Sequence, residues 1–132
     1  HAELSPQQVL DVFTDTYVNI NDHIRLIDYH FKRTPDISVS VTVELNGEVK
    51  ELAATGNGRL DAVSNAVKQQ LGIDFSDLSY EEHALTAGST SQAISYVSIT
   101  LPDGRKVWGA GINDDIIASS INALFSAINR SI

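Results

Sequence analysis

The chain contains no cysteine and no methionine in 132 residues, and only one tryptophan and three prolines. Without cysteine there is no disulfide framework, no thiolate metal site and no cysteine nucleophile, so packing must carry the stability. Positive charge is scarce as well. Nine Lys and Arg against seventeen Asp and Glu leave a net charge of −8, which argues against nucleic acid or an anionic membrane as the partner. No apolar run approaches the roughly 18 residues that cross a bilayer, and no basic, apolar and small-residue order opens the chain as in a secretory signal. A cytoplasmic location is therefore expected. The chain starts at His1-Ala2-Glu3, without the residue that begins translation, and is expected to be a piece of a longer polypeptide. At 42% hydrophobic it has the size of one ordinary domain, able to bury roughly two-thirds of its unfolded surface.

What is present is strongly patterned. Ser5-Pro6-Gln7-Gln8 combines an N-cap serine, a proline at the first helical position and a capping-box glutamine, and Val9, Phe13 and Tyr17 follow at four-residue spacing. This predicts a short helix over roughly 6–18. Ile24 to Phe31 reads as a strand. Val39, Val41, Val43 and Leu45 then alternate with Ser38, Ser40, Thr42 and Glu44, the period of a half-buried strand. Asn46-Gly47 predicts a type I′ hairpin turn and Val49 to Ala54 the returning strand. From Leu60 the apolar positions shift to Leu60, Val63, Val67 and Leu71, a helical stripe closed by Gly72.

The second half repeats this order. Leu78 to Thr86 reads as a strand, Ile94 to Leu101 and Lys106 to Gly109 as a hairpin around Pro102-Asp103-Gly104, and Ile116 to Asn129 as a helix. Gly47 and Gly104 lie 57 residues apart, as do Asn65-Ala66 and Asn122-Ala123. The common offset predicts an α+β fold of duplicated βββα units with pseudo-twofold symmetry, preceded by a short linker helix. The divisions are a helical linker over 1–22 and a domain over 23–132, with repeats at about 23–72 and 77–130. Ile116, Ile117, Ile121, Leu124, Phe125 and Ile128 make the last helix apolar over more than one stripe, so it is expected to pack on a second subunit or domain as well.

Two glycine-containing segments mark the strand-to-helix connections: Thr55-Gly56-Asn57-Gly58-Arg59-Leu60-Asp61-Ala62, and Gly109-Ala110-Gly111-Ile112-Asn113-Asp114-Asp115-Ile116. Helix N-termini present unpaired N–H groups and partial positive charge, and glycine lets backbone approach a ligand closely, so each segment suits an anionic small ligand. The plainer reading is that both are tight connections with no ligand. The two Gly-x-Gly strings align only with a small indel.

Taken in order, the alternating strand with Asn46-Gly47, the string Ala54-Thr55-Gly56-Asn57-Gly58 with Leu60-Asp61-Ala62, the string Gly109 to Ile116, and Ala118-Ser119-Ser120 through Asn129-Arg130 resemble one family. That family is the C-terminal regulatory domain of 2-isopropylmalate synthase, shared with citramalate synthase. The resemblance covers roughly Ile24 to the end, and residues 3–22 look like the end of a helical linker to a catalytic barrel. It implies a parent enzyme that condenses acetyl-CoA with 2-oxoisovalerate in a metal-dependent TIM barrel, with this domain binding leucine, forming a homodimer and damping activity. It implies no catalysis and no cofactor in this chain. Arg59 stands where relatives often carry proline, and the acidic Asn113-Asp114-Asp115 is unusual, which keeps isoleucine, the effector of the citramalate synthase branch, as the rival ligand.

A branched-chain amino acid needs donors for its carboxylate, acceptors for its ammonium and a dry aliphatic pocket. The expected site therefore uses the turn Gly56, Asn57, Gly58 and Asp61, with amides of Gly58 to Leu60 taking the carboxylate. Asp115, or carbonyls around Gly111 and Ile112, would accept from the ammonium. Leu60, Tyr80, Ala84 and Ile112 would enclose the side chain, Tyr80 and Ala84 being carried over from the resemblance of Tyr80-Glu81-Glu82-His83-Ala84. Asp114-Asp115 is most simply an N-cap. His23, His30 and His83 lack ligand spacing, and no metal is expected. Trp108 suits burial or a subunit contact, and Ser119-Ser120 lacks a nucleophile context. The competing functions are a dimerisation domain without an effector and a stand-alone enzyme.

Overall fold

The computed structural model describes residues 5–33, 35–87 and 90–132. The first four residues of the expected linker lie outside that set. The order is α1 (Pro6–Tyr17), β1 (Ile24–Lys32), β2 (Ile37–Leu45), β3 (Glu48–Gly56), α2 (Arg59–Leu71), β4 (Ser76–Ala87), β5 (Thr90–Thr100), β6 (Lys106–Asn113) and α3 (Ile116–Ser131). Two three-stranded antiparallel sheets, β1-β2-β3 and β4-β5-β6, are each followed by a helix, so the duplicated βββα arrangement is present.

Local chemistry explains the boundaries. Ser5 caps α1 through the Gln8 amide at 3.1 Å while the Gln8 side chain accepts from the Ser5 amide at 2.8 Å, a reciprocal capping box. Asn46 and Gly47 turn the first hairpin with φ of 49° and 89°, the left-handed values that a type I′ turn demands. Gly72 ends α2 at φ 66°.

Val39, Val41, Val43 and Leu52 bury one face of the first sheet against Val63, Ala66 and Val67 of α2, in one continuous core with Ile121, Leu124, Phe125 and Ile128 of α3. The wide apolar surface of α3 is covered within the chain, because this helix touches β5 and β6 on one side and β1 and α2 on the other. A second subunit is not needed to explain it. Ile116, 48% exposed, is the large aliphatic residue of α3 that remains open. By contrast α1 buries no residue, and Val9, Leu10 and Val12 face outward.

The offset of 57 holds along the second hairpin and helix of each unit, with a consequence for the glycines. Gly56 at the end of β3 corresponds to Asn113 at the end of β6, and the N-cap Gly58 to the N-cap Asp115. Gly109 and Gly111 correspond instead to Leu52 and Ala54, inside the returning strand. The second Gly-x-Gly is thus not a turn. β6 continues through it to Asn113, and no indel is required.

Candidate functional site

The first junction is short and open. A Cβ on Gly56 would lie 2.6 Å from the Ala62 nitrogen and 2.7 Å from the Asp61 carboxylate, so only glycine lets β3 run into the first turn of α2. Asp61 folds back, its Oδ2 accepting from the Asn57 amide at 2.8 Å. Gly58 is the N-cap with extended backbone, φ −145° and ψ 175°, and no side chain caps the helix. The leading amides of α2 are left without a side-chain acceptor.

The second junction is closed. Asp115 caps α3, its Oδ1 accepting from the Ile117 amide at 3.0 Å, while its other oxygen accepts from the Tyr29 hydroxyl. Burial first, and then the Asp115 hydrogen bond and charge, push the Tyr29 phenol up to about 12. Asn113 Oδ1 takes the Asp115 amide at 2.9 Å. Behind this junction α3 rests on bare backbone, since a Cβ on Gly111 would fall on the Ser119 carbonyl and 2.7 Å from the Ala123 nitrogen.

Between the junctions lies a cavity of about 310 Å³. Its apolar lining comes from Phe31 and Ile37 of the first sheet, Leu60 of α2, and Ile116, Ile117 and Ile121 of α3. Arg33, Arg59, Tyr80, Glu82 and Ser120 supply its polar lining. Each unit thus contributes a helix start and a strand segment. The Arg59 guanidinium lies 6.0 Å from the centre of the Phe31 ring. Ser120 Oγ lies 2.9 Å from Glu82 Oε1 and 3.1 Å from the Ile116 carbonyl oxygen, two acceptors for its one proton, and the bond to Glu82 ties the β4 carboxylate to α3. The lining therefore joins two cations, one anion and an aliphatic floor, a set suited to a small zwitterion with an apolar side chain.

Of the residues expected from sequence, Leu60 and Tyr80 line this cavity, with Gly58 adjoining and Gly56, Asn57 and Asp61 building the turn beside it. Asp115 stands one residue before Ile116 but is committed to capping and to Tyr29. Ala84 and Asp114 line an adjoining open groove that shares Glu82 and Ile116 with the cavity. Gly111 is buried beneath α3. Ile112 is held through both backbone groups by Asn19, whose Oδ1 accepts from its amide at 3.0 Å and whose Nδ2 donates to its carbonyl at 3.1 Å. These strand atoms are engaged structurally, away from the cavity.

Sequence reading missed Phe31, Arg33, Ile37, Glu82 and Ser120, and took Ile116, Ile117 and Ile121 only as a packing face. Only Glu82 carried a local signal, because it follows Tyr80 at the two-residue spacing of one strand face. Among the described residues no group of three or more His, Asp or Glu could hold a metal ion. His30 and His83 instead sit by Asp28 and Glu81, at 3.2 and 3.5 Å, on exposed strands. Trp108 is half-exposed, with the Lys106 ammonium 5.3 Å from its ring. No described helix is long and apolar enough to cross a membrane.

Residues 3–132 match the family described as the LeuA allosteric (dimerisation) domain. The chain belongs to that family. It is 50% identical over its whole length to a 2-isopropylmalate synthase of Desulfitobacterium hafniense and 40% identical, again over the whole chain, to one of Helicobacter hepaticus, covering 24% and 25% of those proteins. A 2-isopropylmalate synthase of Rhizobium johnstonii is 39% identical over 97% of the chain and 24% of its own length. The chain spans about a quarter of the relatives it matches. The family's description makes it a regulatory and dimerisation unit rather than a catalytic one.

Proposed function

We propose that this domain binds L-leucine in the cavity between its two βββα units and, as a homodimer, imposes feedback inhibition on a cytoplasmic 2-isopropylmalate synthase. The parent would carry the condensation of acetyl-CoA with 2-oxoisovalerate, and its divalent metal, in a catalytic barrel outside this chain. The observation that carries the proposal is the lining itself: Arg59 beside the uncapped start of α2, Glu82 opposite in sequence origin, and an aliphatic floor of Leu60, Ile117 and Ile121.

The leucine carboxylate would sit at the Arg59 and Leu60 amides, helped by the Arg59 charge. The ammonium would approach Glu82 and compete for it with Ser120. The isobutyl group would displace solvent from the floor, worth roughly 2 kcal/mol for a fully buried leucine-sized side chain. At about 310 Å³ the cavity lies at the small end of the roughly 300–1,000 Å³ of small-molecule sites, as a single amino acid needs.

Calorimetric titration with leucine, isoleucine and valine tests the assignment. Leucine is expected to bind tightest, and Glu82→Gln to weaken it without unfolding the domain. Tighter isoleucine binding would move the assignment to the branch that answers to isoleucine. No heat and no thermal shift with any of the three would leave a dimerisation domain without an effector.

A further inference from the structure

Helix α3 serves two places at once. Its first two turns line the cavity through Ile116, Ile117, Ser120 and Ile121, while its last turns hold the segment that joins α1 to β1. Asn129 is 3% exposed and uses its amide fully: Oδ1 accepts from the His23 and Ile24 amides at 2.9 and 2.8 Å, and Nδ2 donates to the Ile20 and Ile24 carbonyls at 2.6 and 2.8 Å. One turn earlier the buried Ser126 hydroxyl accepts from the Ile20 amide at 2.7 Å and donates to the Ala110 carbonyl at 3.0 Å.

The same segment is also bonded to β6. Asn19 grips the Ile112 backbone from its side chain, and its amide donates to the Ala110 carbonyl at 2.9 Å. The linker therefore bridges α3 and β6, and any displacement between those two elements must be taken up in it. Gly109 and Gly111 place no side chain between them, so α3 bears on the β6 backbone through Ser119, Ala123 and Ala127 rather than through interlocked ridges. A helix of 16 residues is about 24 Å long and moves as one body.

We infer that α3 is the coupling rod of the domain: a ligand in the cavity shifts its N-terminal turns, and Asn129, as a positioning residue, passes that shift to the linker at Ile20 to Ile24. The inference rests on the cavity being the effector site and names how that site would reach the rest of a longer chain. Glu82 and Ser120 supply the trigger, because a ligand ammonium that takes Glu82 frees the Ser120 hydroxyl from β4. Asn129 lies in none of the cavity lining, so its effect on ligand affinity must come through the elements it joins, α3 and the linker with the start of β1. Linkage makes the coupling reciprocal: leucine tightens the linker clamp by the same factor by which the clamp tightens leucine.

Amide hydrogen exchange and leucine calorimetry on this chain, with Asn129→Ala and, should that variant fail to fold, Ser126→Ala, test it. Leucine is expected to slow exchange at Ile20, His23 and Ile24 about fivefold or more, under conditions where they exchange faster than Val41 and Val43 in the core. Asn129→Ala is expected to weaken leucine binding by a matching factor. Leucine binding that leaves those three amides unmoved and is unchanged by Asn129→Ala within about twofold would overturn the coupling. If leucine does not bind at all, the assignment of the effector fails and Ile117→Phe, which fills the cavity covalently, decides the coupling. Altered exchange at Ile20 to Ile24 in that variant would sustain it, and unaltered exchange would overturn it.

Discussion

Gly58 and Asp115 occupy the same place in the two units, one residue before the helix, yet one leaves its helix open and the other seals it. At Gly58 no side chain accepts from the leading amides, and the neighbouring Gly56 exists only so that β3 can pass close to Ala62. At Asp115 both carboxylate oxygens are engaged, by the Ile117 amide and by the Tyr29 hydroxyl. A duplicated unit thus carries one anion-receptive helix start and one that already contains its anion. Facing the cavity, the first unit offers receptive backbone and the second a junction whose carboxylate is already engaged.

The largest effect that would break this comparison lies behind the closed junction. Gly111→Ala drives a Cβ onto the Ser119 carbonyl, and chemical denaturation should show a loss of about 3 kcal/mol, whereas Gly58→Ala, with nothing within 4 Å of its Cβ, should cost no more than about 1 kcal/mol, the difference between glycine and alanine at an N-cap. Equal effects would mean that α3 does not rest on bare β6 backbone. Asp115→Ala comes next: loss of the cap is expected to cost about 1 kcal/mol and to free the Tyr29 hydroxyl, with leucine affinity lowered only indirectly. Gly58→Asp makes the first junction like the second. It should add about 0.5 kcal/mol by capping α2 while reducing leucine affinity, because a resident carboxylate would compete with that of the ligand.

The smallest effect is a pH dependence. The folded state raises the Tyr29 phenol from about 10 to about 12, so its contribution is complete below pH 10 and is lost as pH rises from 10 through 12. Denaturation across that alkaline window should be steeper for the parent chain than for Tyr29→Phe. Identical slopes would show that the Tyr29 hydroxyl and Asp115 are not coupled.

Much of this was legible in the residues because the signals were local. The capping box at Ser5, the Asn46-Gly47 turn and the Gly72 stop each depend on neighbours within a turn or a hairpin, and the 57-residue offset then shows that the two halves share one pattern. Gly109-Ala110-Gly111 misled for a physical reason: glycine looks the same in sequence whether it serves a turn or the close approach of a helix, and here α3 is what excludes a side chain. Ala84 is expected at the site from the resemblance, and Gly111 and Ile112 as acceptor carbonyls and aliphatic enclosure; in the structure Ala84 lines an adjoining groove, while Gly111 packs under α3 and Asn19 holds the Ile112 backbone. Phe31, Arg33 and Ile37 reach the cavity only when the two units pack together, and no periodicity within one strand records that meeting; Glu82 alone shares a strand face with an expected residue, Tyr80.

The most direct measurement is a crystal structure of the domain with leucine. The account predicts the ligand between the units, its carboxylate at the Arg59 and Leu60 amides, its ammonium toward Glu82 and its side chain on Leu60, Ile117 and Ile121. Leucine seated in the Ala84 groove, or with its carboxylate at the Asp115 end of α3, would contradict it.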